Sequence, residues 1–349
     1  MMKPTNTTIG IIGLGNIGCL HAERFVTLGA DVAGMDSNDD ARRRFVEDFA
    51  APVFDDHHEL FTVVDAVVIA VPNTYHERYA IAALEAGLDV FLEKPMADTW
   101  LNARRIADVA ATADGVCMIG FHNRYRPVVE RFKQLQVAGR FGDLTHVQAN
   151  YVRQNGVPEH GGWFTRGDIS GGGALIDIGV HAIDLALYLL DFPRVEDVVG
   201  TTRRGPDRAF EVEDAASAFV RCADGATISL EVAWRTNGSD NRAFVIDGTD
   251  GSAELTPGDE RLELFDSGRR TAIDIDRIDP YEQQARAFLD AVERDVDPRR
   301  NTVEEALAVQ RVIDDIYQSS ALEHVNSPLF STAEPGLSAS PPRRELESR

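Results

Sequence analysis

The sequence of 349 residues predicts an α/β protein: an N-terminal Rossmann domain with a doubly wound parallel sheet, then an α+β domain with a mostly antiparallel sheet. Up to about residue 120, short apolar runs alternate with helical patterns, which is typical of parallel strands joined by crossover helices. Beyond Pro127 the runs are longer and are joined by turns such as Ala223-Asp224-Gly225, as in antiparallel sheets. We therefore place the Rossmann domain at 1–122, the α+β domain at 123–325 and a disordered tail rich in Ser, Pro and Glu at 326–349.

The individual elements follow from apolar periodicity and from residues that cap or break helices. In the first domain the pattern predicts strands at 8–12, 31–35, 52–54, 66–71, 89–92 and 116–120, and helices that include 75–86 and 99–112. In the second domain it predicts strands at 144–153, 214–222, 226–235, 242–247 and 261–265, followed by helices at 281–293 and 303–319.

The composition excludes several classes of protein. The formal net charge of −22 argues against a nucleic-acid partner, and no apolar run approaches the roughly 18 residues of a membrane span. The N-terminus lacks an apolar signal core and the three cysteines are scattered, so we expect a cytoplasmic protein without disulfides. Only three of the 35 basic residues are lysines, and this bias with the acid excess resembles proteins from cells with molar internal salt, so we also expect a halophilic source.

A glycine-rich motif lies between the first predicted strand and the first helix and reads Gly13-Leu14-Gly15-Asn16-Ile17-Gly18. Gly13 permits a tight turn, Gly15 the close approach of a pyrophosphate, and Gly18 the close packing of the helix on its strand. Asp36 ends the second strand, where an acid accepts from the ribose hydroxyls of an adenosine and repels a 2′-phosphate. The motif, with Asn16 and Ile17, therefore predicts a dinucleotide site that prefers NAD. NADP is also possible, because three arginines follow at 42–44.

Two further motifs follow predicted strands, at the edge where open α/β sheets bind ligands. Pro72, Asn73 and His76 come after the most apolar strand; they would contact the dinucleotide, or Asn73 would only cap the next helix. Glu93 and Lys94 follow the strand at 89–92. An ammonium group there can polarise a hydroxyl or carbonyl oxygen, and the alternative is a surface ion pair. We assign all five residues to the cofactor edge.

A third motif combines a triple glycine at 171–173 with two acids and a histidine. In a helix that follows the glycines, Asp177, His181 and Asp184 fall at i, i+4 and i+7 and share one face. The first acid would orient the histidine, which would then accept a proton from a substrate hydroxyl. The glycines would let a ligand approach; the alternative is a capped amphipathic helix with a hydrogen-bonded histidine.

No metal site is predicted. The pairs His57-His58 and Glu159-His160 lack partners at the spacing of zinc ligands. A lysine and a histidine suffice to handle the proton of a hydride transfer.

Together these motifs resemble the glucose-fructose oxidoreductase, inositol dehydrogenase and rhizopine-catabolism family (Gfo/Idh/MocA), over about residues 8 to 319. The resemblance implies NAD(P)-dependent oxidation of sugars or cyclitols, and a second domain that binds substrate and supports homodimers or homotetramers. It implies that Lys94, Asp177 and His181 form the catalytic group, with His181 as general base and Lys94 holding the reacting oxygen. It also implies that Glu93 lies near the nicotinamide ribose.

The substrate contacts are predicted from the resemblance and from one loop. The family often has an asparagine-arginine pair after the sixth strand, and on this ground we assign Arg124 to the substrate site. The loop that leads into the histidine helix contains Trp163, which could stack on a sugar ring. It also contains Arg153 and Arg166, which could bind hydroxyls, a carboxylate or a phosphate. Asp177 and His181 complete this predicted site; the alternative is a purely structural loop.

We therefore expect an NAD-dependent dehydrogenase that oxidises a ring secondary hydroxyl of a sugar, sugar phosphate or cyclitol to a ketone. Two alternatives use the same fold: a reductase of carbonyl or imine substrates, and a dinucleotide-binding regulator without chemistry. Retention of Lys94, Asp177 and His181 together argues against the regulator, whereas their burial away from the cofactor edge would favour it.

Overall fold

The computed structural model describes residues 7–156, 162–205, 210–294, 298 and 300–326, with side chains up to residue 321. The first sheet contains six parallel strands: β1 (Thr8–Ile12), β2 (Asp31–Met35), β3 (Val53–Phe54), β4 (Ala66–Ile69), β5 (Asp89–Leu92) and β6 (Cys117–Ile119). Their order is β3-β2-β1-β4-β5-β6. The order reverses between β1 and β4, so a crevice opens at the carboxyl ends of these two strands, as in dinucleotide-binding sheets.

Three of the five helices that the structure describes in the first domain begin at a capping side chain. They are α1 (Asn16–Thr27), α2 (Asp39–Phe49), α3 (His57–Phe61), α4 (His76–Glu85) and α5 (Trp100–Ala110). Asn38, Asp56 and Thr99 cap α2, α3 and α5 by accepting from backbone N–H groups. The Rossmann fold is confirmed, with strand ends within two residues of the predicted ones.

The second sheet contains eight strands: β7 (Leu144–Val152), β8 (Val195–Arg203), β9 (Ala215–Cys222), β10 (Thr227–Ala233), β11 (Phe244–Gly248), β12 (Ser252–Thr256), β13 (Arg261–Asp266) and β14 (Arg269–Ile273). Their order is β14-β13-β12-β11-β7-β10-β9-β8. Only β7 and β10 pair in parallel, which confirms a mostly antiparallel sheet.

Three strands of this sheet were absent from the prediction: β8, β12 and β14. Most residues of β8 are partly or fully exposed, and four of the five residues of β14 are exposed. Such strands lack the alternation of apolar and polar residues that marks a half-buried strand. These two strands are recognised only by their pairing with β9 and β13. Strand β12 does alternate, with Ala253 and Leu255 buried between half-buried neighbours, and the prediction overlooked it.

The remaining helices are α6 (Pro127–Val137), α7 (Gly167–Ser170), α8 (Val180–Leu189), α9 (Pro280–Arg294) and α10 (Val303–Asn326). Helices α8 and α10 pack against each other and against the second sheet. The helical stretch Gly167–Leu189 is long and apolar enough to cross a membrane, but 89% of its most apolar window is buried inside the fold. It is therefore explained as a core element.

The chain returns to the first domain near its end. Phe288 of α9 packs edge-on against Phe25 of α1 and Phe91 of β5, and α10 packs on α5. The predicted second domain thus contributes part of the core beside the first sheet. Of the predicted segments, residues 327–349 of the tail and the pair Glu159-His160 lie outside the described residues.

Candidate active site

The glycine motif forms the turn between β1 and α1. Gly13 has φ +95°, and a Cβ there would lie 2.5 Å from the Ala70 carbonyl oxygen; a Cβ on Gly18 would lie 1.9 Å from the Gly13 oxygen. At Gly15 nothing stands within 4 Å of the Cβ position. No side chain caps α1, which begins at Asn16, so the N–H groups of its first turn are left for a ligand. The turn therefore fits a pyrophosphate.

Asp36 lies against this turn. Its Oδ2 accepts from the Leu14 N–H at 2.8 Å, and its Oδ1 accepts from the Asn38 N–H at 2.8 Å. The three arginines that follow bond to residues in or just before their own helix: Arg42 to Asp39 and the Asp36 carbonyl, Arg43 to Asp40, and Arg44 to the Asp40 carbonyl. A carboxylate beside the turn, with its neighbouring cations already paired, favours NAD over NADP.

The residues after β4 join the two domains. The Asn73 amide donates to the Ser170 carbonyl at 2.8 Å, and no side chain caps α4, so Asn73 does not have the capping role. The two ring nitrogens of His76 each lie 2.9 Å from a carbonyl oxygen, those of Pro95 and Val71. Burial lowers the pKa of His76. Pro72 stands just before this turn.

Glu93 is held by a residue that the sequence did not suggest. Its Oε1 lies 2.7 Å from His21 Nε2, and its Oε2 accepts from the Lys94 N–H at 3.1 Å. Burial acts to raise the pKa of Glu93, but the hydrogen bond and charge of His21 and the charge of Lys94 hold it below the ordinary value. The side chains of Glu93 and Lys94 do not form the surface ion pair considered as the alternative.

Lys94 instead reaches across to the second domain. Its ammonium donates to the Asp177 main-chain oxygen at 3.0 Å and lies 3.6 Å from Asp177 Oδ1. The other carboxylate oxygen, Oδ2, accepts from Trp234 Nε1 at 2.9 Å. The peptide bond between Lys94 and Pro95 is cis. Two of the three predicted catalytic residues are therefore in direct contact.

The expected contact between Asp177 and His181 is wrong. The segment Leu175–Gly179 forms a π turn before α8 begins, so the continuous α-helical face on which the prediction rested is interrupted between these two residues. Within the described residues, His181 Nδ1 has no hydrogen-bond partner, and the Asp177 carboxylate is held by Trp234 and Lys94.

The surroundings of His181 nevertheless influence its protonation state. Burial lowers its pKa well below 6.5, and the charge of Lys94 lowers it further. The ring stacks on Tyr151 at 5.9 Å between centroids and meets the edge of His122 at 5.1 Å. The imidazole is therefore neutral at pH 7 and able to accept a proton.

A cavity of about 230 Å³ lies between the two domains. On the first-domain side it is lined by Ile17, Ala70, Val71, Asn73, His76, Glu93, Lys94 and Pro95. On the other side it is lined by Trp163, Phe164, Ser170, Gly172, Ile176, Asp177, His181 and Tyr281. The structure thus brings Lys94, Asp177 and His181 together beside the first turn of α1.

The triple glycine is required by close packing. Gly172 also lines the cavity, so the expected approach of a ligand stays a prediction at that glycine and has no support at Gly171 and Gly173. A Cβ on Gly171 would lie 2.1 Å from the Asp98 carbonyl oxygen, and one on Gly172 would lie 2.0 Å from the Tyr317 hydroxyl. At Gly173 it would lie 1.9 Å from the Glu213 carbonyl oxygen. Protein atoms therefore fill the space that each missing side chain leaves.

Arg124 does not reach the cavity, so its assignment to the substrate site is wrong. Its side chain is fully buried, with Nε donating to Asp184 Oδ1 at 3.0 Å and a terminal nitrogen bonded to Glu305. Burial raises the pKa of Asp184 to about 6, against the opposing charge of Arg124. Asp184, expected on the same face as His181, thus belongs to a buried ion pair instead.

The two loop arginines have different positions. Arg166 is largely exposed and pairs with Asp168 at 2.9 Å, so it does not line the cavity. Arg153 does not line it either, but its positive charge is among those that lower the pKa of His181. Trp163 does line the cavity, with its ring stacked on Phe164 at 3.8 Å.

Sequence reasoning missed three residues around the catalytic group. Tyr281 lines the cavity and stacks on His122 at 4.3 Å, and Trp234 holds Asp177. Burial lowers the pKa of His122 to about 3. Tyr281 and Trp234 carried no signal, because each lies at the end of an element and far along the chain from the other motifs. His122 was visible only as an insertion beside the asparagine-arginine pair.

One group of potential metal ligands appears away from the cavity. Asp56, His57 and His58 bring one ligand atom each within 4.8 Å of one another. The prediction had given the two histidines no acidic partner. Asp56 already caps α3, and His57 packs against the rings of Phe61 and Tyr79.

Comparison with known proteins gives the family. Residues 7–121 match the model described as "Oxidoreductase family, NAD-binding Rossmann fold", and residues 129–254 match the "GFO/IDH/MocA C-terminal domain". The D-glucoside 3-dehydrogenase of Escherichia coli (strain K12) is 31% identical, over 68% of this chain and 72% of that protein. The chain belongs to the Gfo/Idh/MocA oxidoreductase family.

Two further relatives are similar to this chain over most of its length. The NADP(+)-dependent D-xylose 1-dehydrogenase of Haloarcula marismortui is 29% identical over 74% of this chain and 73% of that protein. A levoglucosan dehydrogenase, solved in complex with NADH and levoglucosan, has the same fold, with a TM-score of 0.82, 23% identity, and coverage of 91% of this chain and 98% of that one. This family member is an NAD(P)-dependent oxidoreductase that acts on CH–OH groups, with an NAD-binding Rossmann domain.

Proposed function

We propose that this enzyme oxidises a ring secondary hydroxyl of a sugar or cyclitol to a ketone, with Lys94 and His181 handling the proton. The observation that carries the proposal is the shared cavity: Lys94, Asp177 and His181 line it together with Ile17 from the glycine turn. This arrangement gives no support to a regulator that has lost its chemistry, because the three residues lie at the cofactor edge.

Each residue has a distinct role in the proposed reaction. Asp177 holds the Lys94 ammonium at the cavity wall through its main-chain oxygen and its carboxylate. The ammonium would donate to the reacting oxygen and stabilise negative charge on it, while neutral His181 takes the hydroxyl proton. A bound NAD supplies the acceptor for the hydride that leaves the ring carbon. The glycine turn and Asp36 would hold its pyrophosphate and adenosine ribose.

The proposed substrate class is supported by the wall of the cavity that contains Trp163 and Phe164. The stacked rings of Trp163 and Phe164 present an apolar surface of the kind that packs on the C–H face of a sugar. The names of the relatives, a glucoside and a xylose dehydrogenase, support a sugar. Because Arg153 does not line the cavity, we assign it only to a polar substituent that projects beyond the cavity; its guanidinium makes no hydrogen bond within the described residues.

The first experiment is an NADH absorbance screen in multimolar KCl, repeated with NADP. It covers glucosides, pentoses, inositols, glucose 6-phosphate and uronates. With the best substrate, Lys94→Ala and His181→Ala should each lower kcat about 10²- to 10⁴-fold, since groups that handle the proton contribute that much.

Matched controls are available in the same chain. Lys133 bonds to Asp191 at 2.6 Å, and His146 bonds to Thr227 at 2.8 Å, both away from the cavity. Lys133→Ala and His146→Ala should therefore leave kcat nearly unchanged. If both Lys94→Ala and His181→Ala stay within threefold of the wild type, the proton-handling roles are rejected.

We further propose that the second domain binds substrate and forms a homodimer or homotetramer through its sheet. Gly200 and Ala218 pair across β8 and β9 on the face that packs against α10, so their neighbours Val199 and Phe219 point outwards. These two are 60% and 49% exposed, an uncommon state for paired apolar residues. Light scattering gives the mass that tests this, and a monomer in multimolar salt would contradict it.

A further inference from the structure

The Asp177 carboxylate has two separate partners, one on each oxygen. Trp234 Nε1 donates to Oδ2 at 2.9 Å, and the Lys94 ammonium lies 3.6 Å from Oδ1. Asp177 lies in the π turn, and its main-chain oxygen also accepts from the same ammonium, at 3.0 Å. The side-chain torsion of Asp177 therefore decides where the carboxylate charge that pairs with Lys94 lies.

Trp234 is fixed more firmly than either of these two residues. Its side chain is fully buried directly after β10, whereas those of Lys94 and Asp177 are 18% and 15% exposed. Its backbone is bonded on both sides: its N–H donates to the Asp214 carbonyl at 2.9 Å, and its carbonyl accepts from the Gly156 N–H at 2.7 Å. A buried indole with a single N–H donor must use it on a partner.

We propose that Trp234 is a positioning residue: by occupying Oδ2 of Asp177, it directs Oδ1 and the Lys94 ammonium towards the reacting oxygen. The indole does not line the cavity, so it acts only through Asp177. Without this donor, the carboxylate can rotate about its side-chain torsions and draw the ammonium away from the substrate. This inference rests on the proposed role of Lys94.

The sharpest test replaces one atom. Incorporation of 3-benzothienylalanine at position 234 keeps the shape of the side chain but puts sulfur in place of the N–H group. We expect kcat to fall about tenfold or more, because hydrogen bonds to charged groups contribute about 1.5 to 3 kcal/mol, while the Kd for NADH, measured by fluorescence, stays within twofold. Trp234→Phe should act in the same direction, and Trp100→Phe, a change at the start of α5, should have no effect on kcat.

The outcomes separate the two proposals. If the benzothienyl enzyme keeps kcat within twofold of the wild type while Lys94→Ala loses activity, the inference fails and the proposed function stands. If kcat, cofactor affinity and thermal midpoint all fall together, Trp234 has only a structural role and the inference is again overturned. If Lys94→Ala keeps its activity, the role of Lys94 and this inference fall together, and if His181→Ala also keeps its activity, the proposed function falls too.

Discussion

At the scale of single residues, burial and nearby charge decide what His181 can do. Burial lowers its pKa well below 6.5, and the positive charges of Lys94 and Arg126 further oppose protonation. The basic form is therefore the one present at neutral pH. A base of this kind accepts a proton in the transition state without first having to lose one to solvent.

The pH dependence of kcat/KM tests whether His181 is neutral in the enzyme. Oxidation needs the neutral imidazole, so kcat/KM should hold its plateau as the pH falls through 6.5 and decline only at more acid pH. The measurement is kcat/KM between pH 5 and pH 9 in high salt, with His146→Gln as the control for an unrelated histidine. An inflection at or above pH 6.5 that disappears in His181→Gln would show that the histidine is not held neutral.

At the scale of elements, one buried carboxylate holds the start of the segment that carries Asp177 and His181. Glu213 accepts from the N–H groups of Gly173 and Leu175, at 2.9 to 3.0 Å, and from the Tyr317 hydroxyl at 2.8 Å. Burial raises the pKa of Glu213 in spite of these donors. This contact satisfies the N–H groups that the first turn of any helix leaves unpaired.

Loss of this carboxylate should destabilise the fold. Glu213→Gln replaces one acceptor oxygen by an NH₂ group and leaves at least one buried donor unpaired, so the free energy of unfolding should fall by about 2 kcal/mol or more. Urea denaturation of the variant and the wild type gives the difference. Tyr317→Phe should lower the free energy of unfolding by less, about 1 kcal/mol. Glu85→Gln, at an exposed position, should leave it nearly unchanged. Equal urea midpoints for Glu213→Gln and Glu85→Gln would contradict the stabilising role of Glu213.

At the scale of the whole molecule, charge is the dominant feature. The formal net charge is −22, from 57 acidic and 35 basic residues. At 1 M salt, charges are screened over about 3 Å, whereas at 0.01 M they act over about 30 Å. Self-repulsion of the acidic surface should therefore weaken the folded state in dilute buffer.

Desalting tests the predicted halophilic character. The thermal unfolding midpoint should fall when KCl is lowered from multimolar to millimolar concentration. A parallel series in sucrose, which stabilises folded proteins without screening charge, separates the two effects. A midpoint that is unchanged or higher in dilute KCl would refute the halophilic interpretation.

Much of the fold could be predicted, because the strands of its first sheet are marked by local runs of apolar residues. Strands β1, β2, β4 and β5 are almost wholly buried apolar runs, and each leads into a motif at the same sheet edge. The strands β8 and β14 could not be predicted, since their stability comes from the strands beside them and not from their own residues. The alternation of β12 was present in the sequence and was overlooked.

The sequence by itself determined the glycine turn, Asp36, and the placement of Lys94, Asp177 and His181, because each follows from a local motif or a strand end. Only the tertiary structure decided the partners of these residues. Arg124 turns away from the cavity because Asp184 and Glu305, 60 and 181 residues along the chain, hold it in the core. Asp177 is held by Trp234, 57 residues away, and not by His181. A buried charge takes whichever partner packing brings within hydrogen-bond distance, and a local pattern does not contain that partner.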